Sequence, residues 1–371
     1  MFYSRTSRFT AIALCFAVVA PGVDGNPYTY HITEIPAGAG SRDSLAGIPS
    51  KALGINAAGE VAGVYFGEHL GETSSRAFLY RDGVLEQLGT LGGDWAVATA
   101  INDTSQVVGW SANQDGQIQP FRYSNGVMEN LGTLGGDWAM AVDINHSGQV
   151  AGWSYDAEGQ SRPFRYHNGT MEEFGSLGWG DWGEATAIND AGEIVGWTVD
   201  GSGSLRAFRY SRGEMENMGT LGGYHSWATG INDGGQIVGW SDTEQGHGGA
   251  FRYHNGVMEQ LSTLGEDAST GMPYAINNSG KVVGNVEDSD NRRAFLHTGL
   301  AMLDLNDHID PASGWSMATA LDINDHGQIV GTGINAAGEE HVLLLTPPAM
   351  LDPEHGCYVY GADRRHPARL R

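Results

Sequence analysis

One pattern of apolar, polar and glycine positions recurs seven times along the chain. It reads Ala-x-x-Ile-Asn-x-x-Gly-[Gln/Glu/Lys]-[Val/Ile]-[Val/Ala]-Gly, with small departures in single copies. The Ile-Asn pairs of the seven copies begin at Ile55, Ile101, Ile144, Ile188, Ile231, Ile276 and Ile323. Because successive copies are 43 to 47 residues apart, a distance typical of repeat architectures, the fold is interpreted one repeat at a time.

Each repeat contains four short segments with the composition of β-strands. In the second repeat these segments cover residues 98–101, 106–111, 120–123 and 127–131. Val107, Val108 and Trp110 are apolar on both faces of the second segment, a pattern typical of a strand buried on two sides. Asn125-Gly126 separates the last two segments and predicts a two-residue type I′ hairpin turn, because both residues of that turn need a positive φ.

The predicted hairpin turn fixes which residues of the third and fourth strands face each other. With Asn125-Gly126 at the turn, Arg122 lies opposite Glu129. The same register predicts three more pairs: Arg165 with Glu172, Arg209 with Glu216, and Arg252 with Glu259. We expect each to form a cross-strand ion pair worth about 0.2–1 kcal/mol, with a structural role. The first and sixth repeats lack the Arg–Glu pair.

Seven units of four strands predict an all-β fold, a seven-bladed β-propeller of four-stranded antiparallel blades. The seventh unit offers only three strands, at 318–323, 328–333 and 340–346, while residues 28–35 form an extra strand ahead of the first repeat. We therefore expect the N-terminal strand to close the last blade, since a closed ring removes exposed sheet edges. An open β-solenoid is the rival fold, but it would need end caps and none is visible.

The chain divides into three parts. Residues 1–25 have the form of a secretory signal peptide, with Arg5 and Arg8 ahead of an apolar segment at 9–20 that is too short to span a bilayer. Residues 26–347 form the predicted propeller, and residues 348–371 a basic, flexible tail. Secretion places the protein outside the cell or in the periplasm. Cys357 would be the only cysteine of the mature chain, which excludes a disulfide framework.

Composition narrows the choice of partners and cofactors. The formal net charge of −24 argues against nucleic acid, because phosphates require a basic surface. The sequence contains no zinc-binding histidine pair, nucleophile elbow or phosphate-binding loop. No membrane span is predicted, and we expect a monomer without a cofactor. The exception is calcium, for which Glu287, Asp288 and Asp290 could supply oxygen ligands, although a solvated surface loop is the alternative.

The repeat resembles that of the HAF-repeat family of bacterial extracellular proteins. Segments close to Leu-Gly-Thr-Leu-Gly-Gly occupy residues 88–93, 131–136 and 218–223, and Ala-Phe pairs occupy 77–78, 207–208, 250–251 and 294–295. The histidine that precedes Ala-Phe in the family is replaced at all four pairs, whereas His341 matches it in the last repeat. The resemblance implies secretion and a repeat fold, and it implies no activity that can be transferred.

Tryptophan is the best candidate for a ligand-binding side chain. Trp110, Trp153, Trp197 and Trp240 end the second strands and are expected to pack between blades. A second set lies in the segments that connect one blade to the next, partly beside carboxylates, and Trp179 belongs to an insertion unique to its repeat. This set consists of Trp95, Trp138, Trp179, Trp182, Trp227 and Trp315, with Asp94, Asp137 and Asp181. Flat apolar faces beside polar groups could bind a sugar. The alternative is that these tryptophans only pack within the repeat structure.

Three functions remain open at this point. The leading hypothesis is a secreted, non-enzymatic module that binds a polysaccharide or a cell-surface component. The second is a polysaccharide lyase or glycoside hydrolase at the mouth of the central channel, since the many acidic residues allow carboxylates to pair in space. The third is a structural protein of the envelope or matrix.

Overall fold

The computed structural model describes residues 29–40, 50–69, 72–178, 182–264, 271–287 and 292–348. The predicted signal peptide and residues 349–371 of the predicted basic tail lie outside these residues, as do Trp179, Asp181, Asp288 and Asp290. Within the described ranges the fold is all-β, with 28 strands and two 3-10 helices and without an α-helix. None of the described helices is long and apolar enough to cross a membrane.

The strands follow the repeats closely, four to a unit. Those of the N-terminal half are β1 (His31–Gly40), β2 (Lys51–Ile55), β3 (Val61–His69), β4 (Glu72–Arg81), β5 (Val84–Gln87), β6 (Gly92–Ile101), β7 (Val107–Asn113), β8 (Ile118–Ser124), β9 (Val127–Asn130), β10 (Gly135–Ile144), β11 (Val150–Asp156), β12 (Ser161–His167) and β13 (Thr170–Glu173).

The strands of the C-terminal half are β14 (Gly183–Ile188), β15 (Ile194–Val199), β16 (Leu205–Ser211), β17 (Glu214–Asn217), β18 (Gly222–Ile231), β19 (Ile237–Thr243), β20 (Gly248–His254), β21 (Val257–Gln260), β22 (Met272–Ile276), β23 (Val282–Glu287), β24 (Arg292–His297), β25 (Met302–Asp304), β26 (Ser316–Ile323), β27 (Ile329–Ile334) and β28 (Glu340–Thr346). The 3-10 helices, Leu305–His308 and Pro311–Ser313, lie between β25 and β26.

The strands pair into antiparallel sheets of four, in sequence order. We number the units 1 to 7 by their Ile-Asn pairs, so that unit 1 contains β2–β5 and unit 3 contains β10–β13. The sheets of units 2 and 3 are joined by one parallel bridge between Ile118 and Trp138. In unit 7, β26, β27 and β28 are completed by β1, whose Ile35 faces Val342 of β28. The N-terminal segment therefore supplies the strand that the seventh repeat lacks.

The last glycine of the repeat permits the close approach of the first two strands of each unit. A Cβ atom on Gly109 would lie 2.0 Å from the carbonyl oxygen of Val97, so no larger residue fits. At every equivalent glycine a Cβ atom would lie 1.9–2.1 Å from a backbone carbonyl oxygen; these glycines are Gly63, Gly109, Gly152, Gly196, Gly239, Gly284 and Gly331. The first strand carries a β-bulge just beyond this contact, for example between Ala98 and Ala100.

The Asn-x-x-Gly part of the repeat forms the turn between the first and second strands. The Asn102 side chain accepts hydrogen bonds from the backbone N–H groups of Thr104 at 3.1 Å and Gln106 at 3.0 Å. The fourth residue of the turn adopts a left-handed conformation, which glycine supplies in six units. In unit 2 Ser105 takes this conformation instead, with φ 58°. Local turn chemistry thus explains two of the most regular positions in the sequence.

The same asparagines connect neighbouring units. Each Nδ2 donates to the backbone oxygen of the equivalent asparagine in the next unit, at 2.9–3.2 Å. The series runs through Asn56, Asn102, Asn145, Asn189, Asn232, Asn277 and Asn324, and Asn324 donates to the oxygen of Asn56. The hydrogen-bonded series therefore returns to the unit in which it began.

The hairpin registers confirm the predicted pairing of the third and fourth strands. Arg122 faces Glu129, and the other three predicted pairs face each other in the same way. Arg122 and Arg165 form the expected ion pairs, at 2.7 Å from Glu129 and 3.0 Å from Glu172. Asn125 and Gly126 both have positive φ, as a type I′ turn requires.

Two of the predicted ion pairs were wrong, although the register was right. Arg209 pairs with Glu193, because unit 4 has a glutamate just before the second strand where most units have glutamine. Arg252 donates instead to the carbonyl oxygen of Gly280 in the next unit, at 3.0 Å. Unit 1, for which no pair was expected, has an ion pair of 3.0 Å between Arg81 and Glu86.

The hydrophobic core lies between consecutive sheets and is built from the same positions in each unit. The phenylalanine of the third strand is fully buried in six units, at Phe78, Phe121, Phe164, Phe208, Phe251 and Phe295. Between units 7 and 1, Ile35 of β1 packs in one cluster with Ile55, Phe78 and Val342. This cluster unites residues from the two ends of the repeat array.

Candidate functional site

Not all of the tryptophans proposed as ligand-binding residues lie in the segments that connect one unit to the next. Trp95 and Trp138 lie within β6 and β10, and not in connecting segments, because the first strand begins at the Gly-Gly pair. Trp182 directly precedes β14. Trp227 faces Trp240 and so corresponds to Val97 of unit 2, which faces Trp110 in the same way. Trp227 therefore lies two residues further along its first strand than Trp95 does.

Three of the indoles pack on side chains of the second or third strand of their own unit. Trp95 meets Trp110 edge-on, with ring centroids 4.8 Å apart and planes at 81°. Trp227 stacks on Trp240 at 4.4 Å and 20°. Trp315 meets the ring of His341 at 5.1 Å and 76°. These contacts indicate packing roles for Trp95, Trp227 and Trp315.

The other two described indoles belong to a cluster that spans two units. Trp138 and Trp182 each lie 6.3 Å from the ring of Tyr155, and Trp153 lies 5.6 Å from it. Trp138 is 44% exposed and Trp182 is 50% exposed. We call Trp138, Tyr155 and Trp182 the aromatic row. It joins β10 and β11 of unit 3 to the start of unit 4, and it presents large apolar faces to solvent.

Sequence reasoning missed Tyr155, although a signal for it exists. Tyr155 follows the buried Ser154, and the equivalent positions in units 2, 4 and 5 are Ala112, Val199 and Asp242. Unit 1 has Phe66 there, so two units have an aromatic residue at this position, and of the two only unit 3 also carries the Trp179 insertion. The departure from the repeat is therefore the observation that would have identified it.

Polar groups surround the aromatic row. Asp137 is exposed next to Trp138, and its Oδ1 atom accepts a hydrogen bond of 2.7 Å from Gln117 Nε2. Asp156 follows Tyr155 and forms an ion pair of 3.0 Å with Arg162. The carboxylates nearest the row thus have polar partners that fix their positions. Asp94 is exposed at the start of β6, one unit away.

A second feature lies further along the first strands, five residues after Trp138 in β10. The position after the bulge is alanine or glycine in five units and aspartate in two, Asp143 and Asp322. Asp143 Oδ2 accepts the N–H of Ile188 in unit 4 at 2.8 Å. Asp322 Oδ2 accepts the N–H of Ile55 in unit 1 at 2.9 Å. Each carboxyl therefore bridges its own unit to the next.

Burial changes the titration of both carboxyls. Burial raises the pKa of Asp143 to about 7, against the opposing effect of the N–H groups of Ile188 and Ile144. The negative charges of Asp322 and Asp190 raise the pKa of Asp143 further. The pKa of Asp322 is raised to about 6, also by burial. Neither residue was identified from the sequence.

The ends of the first strands enclose a polar cavity of about 200 Å³. Its walls repeat the Ile-Asn pairs, and its mouth carries Asp103, Asp190, Asp233 and Asp325. Within the described ranges, no three His, Cys, Asp or Glu side chains converge in a way that could hold a metal ion. Of the predicted calcium ligands only Glu287 is described, and its carboxylate lies 3.7 Å from Arg292.

Comparison with known proteins shows likeness in fold only. No protein-family model matches the chain, and no curated protein matches it. A puromycin-hydrolyzing peptidase of Mycobacterium tuberculosis is 14% identical with a TM-score of 0.54, covering 90% of this chain and 56% of its own. An acylaminoacyl peptidase of Pyrococcus horikoshii is 12% identical with a TM-score of 0.53, covering 85% and 54%. This chain thus spans about half the length of either peptidase.

TolB from Acinetobacter baumannii, a protein of propeller type, is 14% identical to the chain. The likeness covers 86% of this chain and 96% of TolB, with a TM-score of 0.42. At such identities, neither TolB nor the peptidases bring an activity to this chain.

Proposed function

We propose that this chain is a secreted, non-enzymatic binding module of the HAF-repeat family. In this proposal its sheets are the blades of a closed seven-bladed β-propeller, with β1 as the fourth strand of the last blade. The asparagine series supports closure, because it leads from unit 7 back to unit 1 through the hydrogen bond from Asn324 to Asn56. The pairing of β1 with β28 supports it as well.

The aromatic row carries the functional proposal. Two half-exposed indoles and a tyrosine from neighbouring units are costly to leave in water unless they bind something, since contiguous apolar patches usually mark interaction sites. Their faces can stack on the C–H faces of sugar rings, while Asp137 and Gln117 offer hydrogen-bonding groups at the edge. The ligand we propose is a polysaccharide or a sugar-bearing component of a cell surface.

The alternative of a hydrolase or lyase finds less support. Asp143 and Asp322 have the raised pKa values that acid–base catalysis uses, but their carboxyl oxygens accept backbone N–H groups and neither residue lines the cavity. The side chains that line the cavity mouth are Asp103, Asp190 and their equivalents, which accept backbone N–H groups of neighbouring units. A structural role in the envelope needs no exposed aromatic row, so the row disfavours it too.

The first experiment is a tryptophan fluorescence titration of the mature protein against a panel of polysaccharides, with and without calcium. Calcium is included because the loop that begins at Glu287 is the segment we propose for this ion. We expect a saturable change with at least one glycan. Alanine at both Trp138 and Trp182 should then weaken binding at least tenfold, whereas alanine at Trp95, which packs on Trp110, should leave the affinity unchanged.

Two outcomes would contradict the proposal. Unchanged affinity in the Trp138→Ala, Trp182→Ala variant would remove the aromatic row from the binding site. New reducing ends or unsaturated products from the bound glycan would show that the protein is an enzyme. Thermal unfolding of each variant would identify any loss of binding that results from misfolding.

A further inference from the structure

Exposed aromatic side chains continue from the aromatic row into unit 5. Among the described residues, seven large apolar side chains are exposed, and they form two groups. Four lie at the hairpins between third and fourth strands: Val84, Val127, Val257 and Leu300. The other three are all aromatic and lie at the starts of the first strands of three consecutive units: Trp138, Trp182 and Tyr224. Single exposed apolar residues are ordinary, whereas a series on neighbouring strands indicates an interaction surface.

Tyr224 is a departure from the repeat at a position that faces water. Units 2 and 3 have aspartate there, Asp94 and Asp137, and both are exposed. The backbone oxygen of Tyr224 accepts a hydrogen bond from Arg206 of the preceding unit. That of Asp94 accepts the same bond from Arg76, so the two positions are equivalent. Tyr224 is 76% exposed, and its ring therefore adds little to the core.

Contacts between units hold the three strand starts beside one another. The first strands β10, β14 and β18 are in contact in that order. Trp182 of unit 4 packs on Tyr155 of unit 3. In unit 5 the residue after Tyr224 is His225, whose Nδ1 atom accepts the N–H of Leu205 of unit 4 at 3.1 Å. Each ring is therefore placed against the preceding unit, and the series is continuous from unit 3 to unit 5.

Carboxylates lie at both ends of this series. Asp137 is exposed next to Trp138, and its hydrogen bond of 2.7 Å comes from the neutral side chain of Gln117. Asp242 accepts the backbone N–H of His225 at 2.9 Å. In the part of the chain that the structure describes, neither aspartate forms an ion pair. Their negative charges therefore act on any ligand that covers the rings.

The arginines at these strand starts are paired already. Arg162 forms an ion pair of 3.0 Å with Asp156, which follows Tyr155. Arg206 forms one of 3.0 Å with Asp200. An acidic glycan would meet carboxylates that repel it, and these guanidinium groups would bind it only at the expense of an existing ion pair. A glycan of uncharged or amino-bearing sugars avoids both costs.

We propose that Tyr224 is a further contact residue, and that the surface from Trp138 through Trp182 to Tyr224 binds an extended glycan chain without acidic groups. The inference rests on the binding function proposed above and adds the class and length of the ligand. Packed sheets lie about 10 Å apart, so the surface spans up to about 20 Å across units 3 to 5. One sugar ring cannot cover that span, and several rings of one chain can.

The test is a tryptophan fluorescence titration against five glycans at constant ionic strength. Xylan and β-glucan are neutral, chitosan carries amino groups, and alginate and hyaluronan are acidic. The proteins are the wild type, Tyr224→Ala, Tyr224→Phe, which keeps the ring, and Val257→Ala. Val257→Ala is the matched control, because it removes an apolar side chain of the same unit that is 54% exposed but lies at a hairpin. Thermal unfolding checks that each variant is folded.

Binding should be confined to the neutral and amino-bearing glycans. Tyr224→Ala should weaken it about fivefold, because stacking area is lost, whereas Tyr224→Phe and Val257→Ala should keep the wild-type affinity. Affinity for oligosaccharides of the bound glycan should rise from the disaccharide to the hexasaccharide.

Three results would overturn the inference while leaving the binding function in place. They are tighter binding of alginate or hyaluronan than of the other glycans, equal affinity in Tyr224→Ala and the wild type, and a disaccharide bound as tightly as a hexasaccharide. Absence of binding to all five glycans would overturn the proposed function and this inference together.

Discussion

The contact between the two ends of the repeat array can be tested at Ile35. This side chain lies in β1, is 1% exposed, and packs against residues of unit 7 and unit 1. In Ile35→Ala three carbon atoms are lost from a site with Val342 on one side and Phe78 on the other. Substitutions of this kind cost about 2–5 kcal/mol, because the lost burial is added to the cost of the cavity that remains.

The expected change in melting temperature follows from the size of the folded unit. The unit extends from Tyr30 to Pro347. At about 2.1 cal/mol/K per residue, its unfolding entropy is about 0.7 kcal/mol/K. A loss of 2–5 kcal/mol therefore lowers the midpoint by about 3–7 °C. Differential scanning calorimetry of the mature chain would measure it.

The control is Val84→Ala, which removes an apolar side chain that is 64% exposed and should change the free energy of unfolding by less than about 0.5 kcal/mol. Deletion of residues 30–36 should lower the midpoint by more than Ile35→Ala, since it also removes the backbone pairing with β28. An unchanged midpoint in both Ile35→Ala and the deletion would show that β1 does not hold the two ends together, and the closure argument would fail.

Two further predictions concern the repeat itself. Gly109→Ala should cost about 3 kcal/mol, at the upper end of the usual range for overpacking, because its Cβ would meet a backbone oxygen at 2.0 Å. Gly175→Ala, with open space around it, should be nearly neutral, and urea unfolding measures both. A double-mutant cycle on Arg122 and Glu129 should give a coupling energy of about 0.2–1 kcal/mol that falls at high salt, and a coupling of zero would remove the stabilising role of this ion pair.

The strands and hairpin registers could be predicted because they depend on local chemistry. An Asn-Gly turn sets the pairing of its own two strands, whatever the rest of the chain does, and Arg122 duly faces Glu129. The partner of Arg209 could not be predicted in this way, because Glu193 directly precedes the second strand and competes only once the sheet is formed. Register is a local property, whereas an ion pair is decided by every strand nearby.

The candidate site was harder to predict than the fold. The shift of Trp227 by two residues can be seen in the sequence, because Trp227 lies four residues before Ile231 whereas Trp95 lies six residues before Ile101. What the sequence does not show is the contact that this shift gives Trp227 with Trp240. Asp143 looks like an ordinary strand residue until the bulge shows that its position faces the neighbouring unit. Tyr155 becomes a candidate site residue only through its contact with Trp182, which belongs to the next repeat. Contacts between units carry the site, and a single repeat contains no information about them.

The exceptions to the repeat fall close together, and this gives them a common consequence. Trp138 and Asp143 belong to the same strand, β10, five residues and about 17 Å apart. The aromatic row spans units 3 and 4, and Asp143 bridges the same two units through Ile188. A change in the contact between these units therefore acts on both ends of one strand. Because Asp143 Oδ2 accepts the N–H of Ile188, Asp143→Ala should loosen the contact between units 3 and 4, and we expect it to weaken ligand binding at the aromatic row in the fluorescence titration. An unchanged affinity would show that the aromatic row does not depend on this contact.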